Sequence, residues 1–485
     1  MQSPLAVIAL VGRMVVLFGL LMAVPLAFAL VQRDSAVQAF VTSIAVTLAA
    51  GLGLSLATRR FRRELQPRDG FILVGLTWTI LPAFAALPLW LAVPGLSPTD
   101  AYFEAMSGLT ATGATVITGL DHLPLSLNVW RCFMMLVGGL GIVVLAVAIL
   151  PLLGVGGSQL FRAETAGPIK DQKLTPRMAE TARGLWAVYF LFSVACFFAY
   201  RWAGMSWADA FMHMCTTMGL GGFSSHDASF GFWNSPRIEG VSVVFMMLAG
   251  VSFALYFAAW RQRSLRVLWA NVEVQAFVGV VAASVALISL YLTANDVFPT
   301  FGESFRHTLF HVVSLATTTG YAANDYAQWP VFAPLLMILL GCFATCAGST
   351  GGGIKMVRML LLIKQSQREL VRIVHPNVVN PVALGGNVVS AKVMQNVIAF
   401  MMIYGATLVG LTMVLLFSGL DVVTAFTAVI AMVNNIGPGL GDVGPAVNFG
   451  GLTDFQTWVC TFGMLLGRLE LLSLLVLFTP QFWRN

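Results

Sequence analysis

The chain has 485 residues, of which 58% are hydrophobic and only 10% are charged. This composition excludes an ordinary soluble protein and indicates a multi-pass membrane protein with room for about ten spanning helices. The net charge of +6 does not require a nucleic-acid partner, because the uneven placement of Lys and Arg between the two faces of the membrane accounts for it.

Long apolar runs predict ten membrane-spanning helices. The first run, within Met1 to Val31, has spanning length and no clear small-residue cleavage site, so we interpret it as a span and not as a removable signal. The predicted spans are 5–31, 37–58, 70–93, 128–152, 184–203, 236–260, 272–294, 330–362, 394–418 and 455–479. An even number of spans returns both termini to the same side.

Basic residues cluster in the connections that lie on one face of this topology. They follow spans two, four, six and eight, and comprise Arg59, Arg60, Arg62, Arg63 and Arg68; Arg162, Lys170, Lys173, Arg177 and Arg183; Arg261, Arg263 and Arg266; and Lys355, Arg358, Lys364, Arg368, Arg372 and Lys392. The positive-inside rule makes this face, with both termini, cytoplasmic.

Four short segments on the opposite face are too short to cross the bilayer. They span 99–112, 206–221, 302–319 and 421–436, and lead into glycines that complete the sequences TATG (110–113), GLGG (219–222), TTTG (317–320) and NNIG (434–437). Polar, irregular backbone cannot face lipid, so at membrane depth it must be buried in protein or line a water-filled path. Each segment therefore predicts a half-helix that enters the membrane partway and returns as an extended loop.

The four segments align on Gly113, Gly222, Gly320 and Gly437, with an apolar residue seven positions before each glycine and a small or polar one three positions before it. This register predicts an all-α membrane protein with a two-helix N-terminal preface and four pseudo-repeated units around one central pore. The predicted divisions are the preface at 1–69 and pore repeats at 70–157, 158–267, 268–392 and 393–485.

Main-chain carbonyls are the groups through which such loops would bind an ion. Glycine permits positive φ, so successive carbonyls can turn toward an axis and replace the hydration shell of a small cation. The C-terminal ends of the half-helices add partial negative charge. The predicted ion-binding carbonyls are those of Ala111, Thr112, Leu220, Gly221, Thr318, Thr319, Asn435 and Ile436.

Five sequence runs resemble the Trk-type potassium uptake proteins of bacteria, in a superfamily that also includes the Ktr and yeast Trk transporters. The runs are SGLTATGATVITGLDHLP, GLGGFSSHDASFGFWNSP, SLATTTGYAANDY, NNIGPGLGDVGP and CAGSTGGGIKMVR. The resemblance implies a potassium uptake subunit in the bacterial inner membrane, a homodimer, and a cytosolic nucleotide-binding regulatory ring (TrkA-like) as partner. It also implies that the four loops form the selectivity filter, with K+ as the transported ion and no organic cofactor.

Two loops depart from the pattern of related proteins. The second loop reads LGGF, where a hydroxyl residue often precedes the paired glycines, and in the fourth loop Pro438 follows the glycine directly. Fewer well-formed cation sites and weaker discrimination against sodium would follow.

A further glycine-rich segment, Gly348-Ser349-Thr350-Gly351-Gly352-Gly353, interrupts span eight. It should break the helix where that helix lines the cytosolic half of the pore, and its freed backbone groups then need partners in the cavity. A phosphate-binding loop is the alternative, but the spacing and the lack of a preceding strand do not match one. The resemblance implies that residues 348–353 form an intramembrane gating loop, to which we assign the adjacent Lys355.

Arg468 lies in predicted span ten, where a buried cation is costly unless it is paired or hydrated. We expect it to face the cavity below the filter and to act as an electrostatic barrier beside the gating loop. The alternative is a salt bridge with a nearby acid such as Glu470, although two residues along a helix point in different directions.

The remaining polar residues permit weaker alternatives. His307 and His311, one turn apart, suggest zinc binding or, more simply, hydrogen bonding; the outer residues Asp121, His226, Asp227, Asp325 and Asp442 could concentrate cations or merely cap turns. The six cysteines show no disulfide or metal-knuckle spacing.

Three classes of function stand at this point: a gated potassium pore, a cation-coupled secondary transporter such as a potassium/proton or potassium/sodium symporter, and a membrane enzyme. The scattered titratable residues argue against an enzyme, and the shared orientation of the units argues for the pore.

Overall fold

The computed structural model describes residues 5–61, 66–144 and 174–484, and this part of the chain is almost entirely α-helical. The helices of ten or more residues are Leu5–Leu21, Ala23–Gln32, Val37–Ala57, Pro67–Ala92, Pro98–Leu109, Leu125–Val144, Leu174–Ala203, Trp207–Gly219, Pro236–Ala249, Phe253–Gln262, Val272–Ala294, Phe301–Ala316, Phe332–Gly341, Met356–Val374, Ala391–Phe417, Val422–Val433 and Asp454–Arg468. In these ranges the only strands are Ala383–Leu384 and Asn387–Val388, which form a small antiparallel hairpin. The predicted all-α class is confirmed.

Six described helices are long and apolar enough to cross a membrane, and two bent helix pairs could each supply a further span. The chain is therefore a multi-pass membrane protein. The first two spans, Leu5–Gln32 and Val37–Ala57, pack closely through glycines. A β-carbon added to Gly12 would lie 2.9 Å from the amide nitrogen of Ser55, and one added to Gly51 would lie 2.8 Å from that of Val16. Small residues let helix backbones approach closely in lipid, where the hydrophobic effect does not drive association.

Four half-helices occur in the segments identified from the sequence. Half-helix 1 is Pro98–Leu109, half-helix 2 is Trp207–Gly219, half-helix 3 is Phe301–Ala316 and half-helix 4 is Val422–Val433. Each begins at a residue whose side chain accepts a hydrogen bond from the backbone amide three residues later; these capping residues are Ser97, Ser206, Thr300 and Asp421. Such caps satisfy amides that have no partner within the helix, so each half-helix has a defined start.

Predicted spans six and ten are not continuous helices, contrary to the expectation from their apolar length. Pro236–Ala249 and Phe253–Gln262 meet at an angle of 83°, and Asp454–Arg468 meets Leu472–Phe478 at 105°. The freed backbone at the first break has partners, because the Gly250 carbonyl accepts a hydrogen bond from Cys346 N at 3.0 Å. At the second break Glu470 and Leu471 have positive φ angles of 53° and 46°. Hydropathy did not reveal these breaks because the helices on both sides of each break are largely apolar.

Predicted span eight is interrupted, as its glycines indicate: Phe332–Gly341 ends before the glycine-rich loop and Met356–Val374 begins after it. Several sequence predictions lie outside the described residues, namely the end of span four beyond 144, the unit boundary at 157/158, and the basic residues Arg62, Arg63, Arg162, Lys170 and Lys173.

Candidate functional site

The four loops that follow the half-helices meet in a closed ring. We call them loop 1 (110–113), loop 2 (219–222), loop 3 (317–320) and loop 4 (434–437). A β-carbon added to the last glycine of each loop would collide with the backbone of the next, in the order 1, 2, 3, 4 and back to 1. For Gly222 the nearest atom would be the Thr319 carbonyl oxygen at 2.6 Å, and for Gly437 the Thr112 oxygen at 2.7 Å. Glycine is therefore required here by the closeness of neighbouring backbones.

Each half-helix ends in the same hydrogen-bonded turn. The residue before the last glycine of each loop donates its amide to a carbonyl five residues earlier; the pairs are Thr112 to Ser107, Gly221 to Thr216, Thr319 to Ser314 and Ile436 to Ala431, at 2.8–2.9 Å. This bond closes a Schellman turn, which needs one left-handed residue. That residue is never glycine here: it is Ala111, Leu220, Thr318 or Asn435, with φ between 50° and 60°.

The aligned glycines have positive φ in loops 1, 3 and 4 but not in loop 2. Gly113, Gly320 and Gly437 have φ of 86°, 85° and 101°, whereas Gly222 does not have a positive φ. The exception is in the loop whose LGGF sequence already differs from its counterparts. Loop 2 thus reaches the ring by a different backbone path.

The backbone carbonyls in front of the ring glycines are buried without protein donors. All eight residues predicted to supply them are buried, and the seven that are not glycine are at most 1% exposed. In the described part of the chain, no backbone or side-chain group donates a hydrogen bond to any of these eight oxygens. Buried carbonyls are almost always paired, so eight unpaired ones in adjacent loops indicate that their partners come from outside the protein.

Side-chain hydrogen bonds form within loops 1 and 3 and between loops 4 and 1. The hydroxyls of Thr110 and Thr112 lie 2.7 Å apart, and those of Thr317 and Thr319 lie 2.8 Å apart. Asn435 Nδ2 donates to Thr112 Oγ1 at 2.9 Å, which joins loop 4 to loop 1. The threonine hydroxyls are therefore paired within the site, whereas Asn435 Oδ1 is buried without a hydrogen-bond partner.

A depression with a volume of about 90 Å³ lies on one side of the ring. It is lined by residues that follow all four loops, including Thr115, Ser224, Ala322 and Pro445. Glu104 of half-helix 1 and Arg131 form a buried ion pair beside it, which sequence reasoning missed. Charged residues within apolar segments were the available signal, since their default interpretation in a membrane protein is functional.

His226 and Asp227 also line this depression and connect loop 1 to loop 2 on its outer side. His226 pairs with Asp121, and its Nε2 lies 3.5 Å from Asp209. Partial burial disfavours the charged imidazole, but the neighbouring carboxylates of Asp209 and Asp121 outweigh it and raise the pKa of His226. Partial burial also opposes ionisation of Asp121, yet the His226 and Asp227 hydrogen bonds lower its pKa.

Asp227 and Asp325 cap backbone amides, as the simpler of the two interpretations expected. Asp227 accepts the amides of Gly119 and Leu120, and Asp325 accepts that of Ala327. The amide of Asp442 donates to Thr424 Oγ1.

The glycine-rich loop, residues 348–353, packs against the opposite side of the ring. Thr350 Oγ1 donates to the Met218 carbonyl at 3.0 Å, and Gly352 N donates to Thr318 Oγ1 at 2.9 Å. A β-carbon on Gly352 would collide with the Asn434 carbonyl. The Lys355 ammonium donates to the Gly351 carbonyl, so the loop carries its own cation. The segment thus contacts three of the four half-helix ends directly.

Arg468 is the last residue of the helix Asp454–Arg468 and not the middle of a span, because the helix breaks directly after it. Its side chain is 3% exposed, and its guanidinium donates to the carbonyls of Thr350 at 3.0 Å and Gly138 at 3.3 Å. The alternative salt bridge with Glu470 does not form. Glu470 pairs instead with Arg358, at 2.5 Å, so the Arg468 charge is offset by carbonyl dipoles and not by a carboxylate.

The comparisons with known proteins agree with this architecture. The family model TrkH, described as a cation transport protein, matches residues 36–485. The Trk system potassium uptake protein TrkH of Escherichia coli K12 is 44% identical over 481 residues, which cover 99% of both chains, and TrkG of the same organism is 37% identical over 98% of this chain and 97% of its own. The crystal structure of the potassium transporter TrkH from Vibrio parahaemolyticus is 41% identical and covers both chains completely, with a TM-score of 0.92. The chain belongs to the TrkH family.

Two remaining polar features of this TrkH-family chain have local structural roles. His311 Nδ1 lies 2.7 Å from the His307 carbonyl, and His311 Nε2 accepts the amide of Ala323 at 3.1 Å. Among the described residues no group of three or more His, Cys, Asp or Glu side chains could hold a metal ion, so the zinc alternative has no supporting geometry.

Proposed function

We propose that this chain is a potassium uptake subunit in which K+ crosses the membrane through the ring of loops 1 to 4. The eight buried carbonyls that no described protein group satisfies carry the proposal. Oxygen atoms without donors, contributed by four converging loops, are what a partly dehydrated cation requires. The relatives are Trk system potassium uptake proteins, which supports potassium as the ion.

The ring attracts cations through geometry and not through ionised side chains. The carbonyls of residues at the last and next-to-last positions before each glycine form two layers of four oxygens. The C-terminal ends of all four half-helices precede the ring, and their partial negative charges add to the attraction. An anion finds neither donor amides nor a helix N-terminus at this position.

The glycine-rich loop is the proposed gate. It closes the path below the ring through the contacts of Thr350 and Gly352, and Arg468 holds it from the side by donating to the Thr350 carbonyl. A cation leaving the ring would meet the buried charges of Arg468 and Lys355. Displacement of the loop would move its backbone and the Lys355 ammonium away from the path.

Uptake by intact cells tests the transport function. Expression in cells that lack their own potassium uptake systems should restore growth at low external potassium and should increase rubidium accumulation. Expressed protein that reaches the membrane but restores neither would contradict the proposal. The control is Gly320→Ala, which changes only the ring.

A cation-coupled symporter is the second candidate, because transporters of that class contain discontinuous helices, and two helix pairs here are bent by 83° and 105°. Purified protein in liposomes separates the candidates. Potassium flux that follows only the potassium gradient supports the gated pore, whereas flux that requires a proton or sodium gradient supports coupling.

The topology and assembly belong to the same proposal. We place the protein in the bacterial inner membrane with both termini cytoplasmic, as a homodimer whose basic face binds a cytosolic nucleotide-binding ring. The four pore units keep the boundaries predicted from the sequence, and no enzymatic activity is proposed. Mass measurement of the purified protein, alone and with a TrkA-like ring, tests the assembly.

A further inference from the structure

One carboxylate contacts both ends of the glycine-rich loop. Glu273 Oε1 accepts the amide of Ala347 at 2.7 Å and that of Val357 at 3.2 Å. These residues stand immediately before and just after the loop and its Lys355. The carboxylate is buried, with the residue 8% exposed, so both hydrogen bonds lie in a medium where they are strong.

We infer that Glu273 is the latch of the proposed gate. It holds together the two roots of the loop, Ala347 and Val357, and thereby keeps residues 348–353 against the ring. This inference rests on the proposed gating function. Glu273 acts through the two ends of the loop, so it is a positioning residue.

The second root of the loop is also a helix N-terminus that lacks a cap of its own. The helix Met356–Val374 begins after Lys355, whose φ is 79° and whose side chain makes no capping bond. Val357 is the second residue of that helix, so Glu273 supplies an acceptor and a negative charge from a different helix. A carboxylate at this position is stabilised by the helix dipole.

The carboxylate is a polar link between the base of the loop and the helix Val272–Ala294, which also meet where Val272 and Ala347 pack against the apolar cluster that contains Val357. The Met356 amide donates to the Thr345 carbonyl at 2.8 Å, which closes the base of the loop on itself. Phe253 N donates to the Gly348 carbonyl at 3.2 Å, which attaches the loop to the break in span six. Neither bond connects the base to the helix Val272–Ala294, whereas Glu273 does.

The start of that helix is fixed and lies next to the predicted cytoplasmic connection. Asn271 Oδ1 accepts the amides of Glu273 at 2.9 Å and Val274 at 3.1 Å. The short helix Arg266–Trp269 precedes it, with Trp269 64% exposed. Movement of this connection would therefore displace the carboxylate that both loop roots share.

Rubidium flux into liposomes containing the full-length purified protein tests the latch. Glu273→Ala removes both bonds to a charged acceptor and should raise basal flux on the order of ten-fold. Glu273→Gln keeps an oxygen acceptor but loses the charge at the helix terminus, and should raise flux by about two- to five-fold. Gly279→Ala, six residues along the same helix, where nothing lies within 4 Å of the added carbon, should leave flux unchanged.

A variant that lacks residues 350–352 separates the latch from the gate. It should conduct more than the parent, and adding Glu273→Ala to it should give no further increase, because no intact loop remains to be released. Equal flux in the parent, Glu273→Ala and Glu273→Gln, beside a conducting shortened-loop protein, would overturn the latch alone. A shortened-loop protein that is folded and conducts no more than the parent would overturn the proposed gate itself. If Glu273→Ala is not recovered as folded protein, the Glu273→Gln comparison decides.

Discussion

Glu104 and Arg131 form an ion pair with Nε and Oε1 2.7 Å apart and with neither side chain exposed. Arg131 also donates to the Ser224 carbonyl and to Thr115 Oγ1, and its guanidinium lies over the Phe223 ring at 4.3 Å. The pair therefore connects half-helix 1 to the segments that leave loops 1 and 2. The ion pair thus fixes the segments that follow loops 1 and 2 on the outer side of the ring.

Removal of one partner of this pair should be costly. Arg131→Met leaves Glu104 buried without its cation, which costs about 3–5 kcal/mol of folding free energy. We expect a lower unfolding temperature in detergent and, in the protein that folds, a lower preference for potassium over sodium in liposome uptake. Arg368→Met, which disrupts an exposed pair with Glu369, is the matched control and should change neither. Retained preference for potassium in folded Arg131→Met would exclude a role for the pair in ion selection.

Gly320→Ala should disable transport. The added carbon would collide with the Ile436 carbonyl, and an alanine at φ 85° costs about 1–2 kcal/mol by itself. We expect rubidium uptake to fall on the order of ten-fold or more, as the loop 3 to loop 4 contact opens. Gly279→Ala is the matched control: nothing lies within 4 Å of its added carbon, and replacing a helical glycine should stabilise the protein by about 0.4–1 kcal/mol. Normal uptake by the Gly320 variant would mean that the ring is not the path.

Arg468→Ala should increase cation flux in liposomes. A unit charge a few ångströms from a passing cation costs it about 1–4 kcal/mol, and the same substitution releases the Thr350 carbonyl. Arg468→Lys keeps the charge but not the two-carbonyl geometry, so it separates the two effects. Low flux in the lysine variant would assign the barrier to charge, and high flux would assign it to the tether. Unchanged flux in the alanine variant would contradict the proposed role of Arg468 as a barrier to cations.

The His226 pair should make stability depend on pH. The folded pKa of His226 is raised above its ordinary value of 6.5, so its contribution is fully present below that value and is lost as the pH rises through the higher folded value. The unfolding temperature of the parent should therefore fall more steeply from pH 6.5 to 8.5 than that of His226→Gln. His375→Gln, an exposed site at the end of Met356–Val374, should keep the parental slope. Parallel curves for the parent and His226→Gln would contradict the expectation.

Local sequence was enough to locate the half-helices and the break in span eight. Ser97, Ser206, Thr300 and Asp421 are capping residue types, and each stands at the start of an apolar segment too short to span a membrane. Four glycines within 348–353 exclude a regular helix. These features depend on interactions between residues close in sequence, which is why they could be predicted.

The same local reasoning failed where a distant partner decided the conformation. The breaks in spans six and ten are held by distant partners: Cys346 N donates to the Gly250 carbonyl, and Glu470 pairs with Arg358, in segments about 100 residues away. Gly222 differs from the other ring glycines for a reason that its sequence alone did not reveal.

The sequence by itself determined the membrane class and the positions of the four half-helices, because composition, length and capping act locally. Only the tertiary structure decided that the four glycines close into one ring, that Arg131 and Glu104 pair behind it, and that Glu273 joins both roots of the glycine-rich loop. Each of those is a contact between residues far apart in the chain, made specific by burial: a charge or carbonyl removed from water must find its partner in the folded protein.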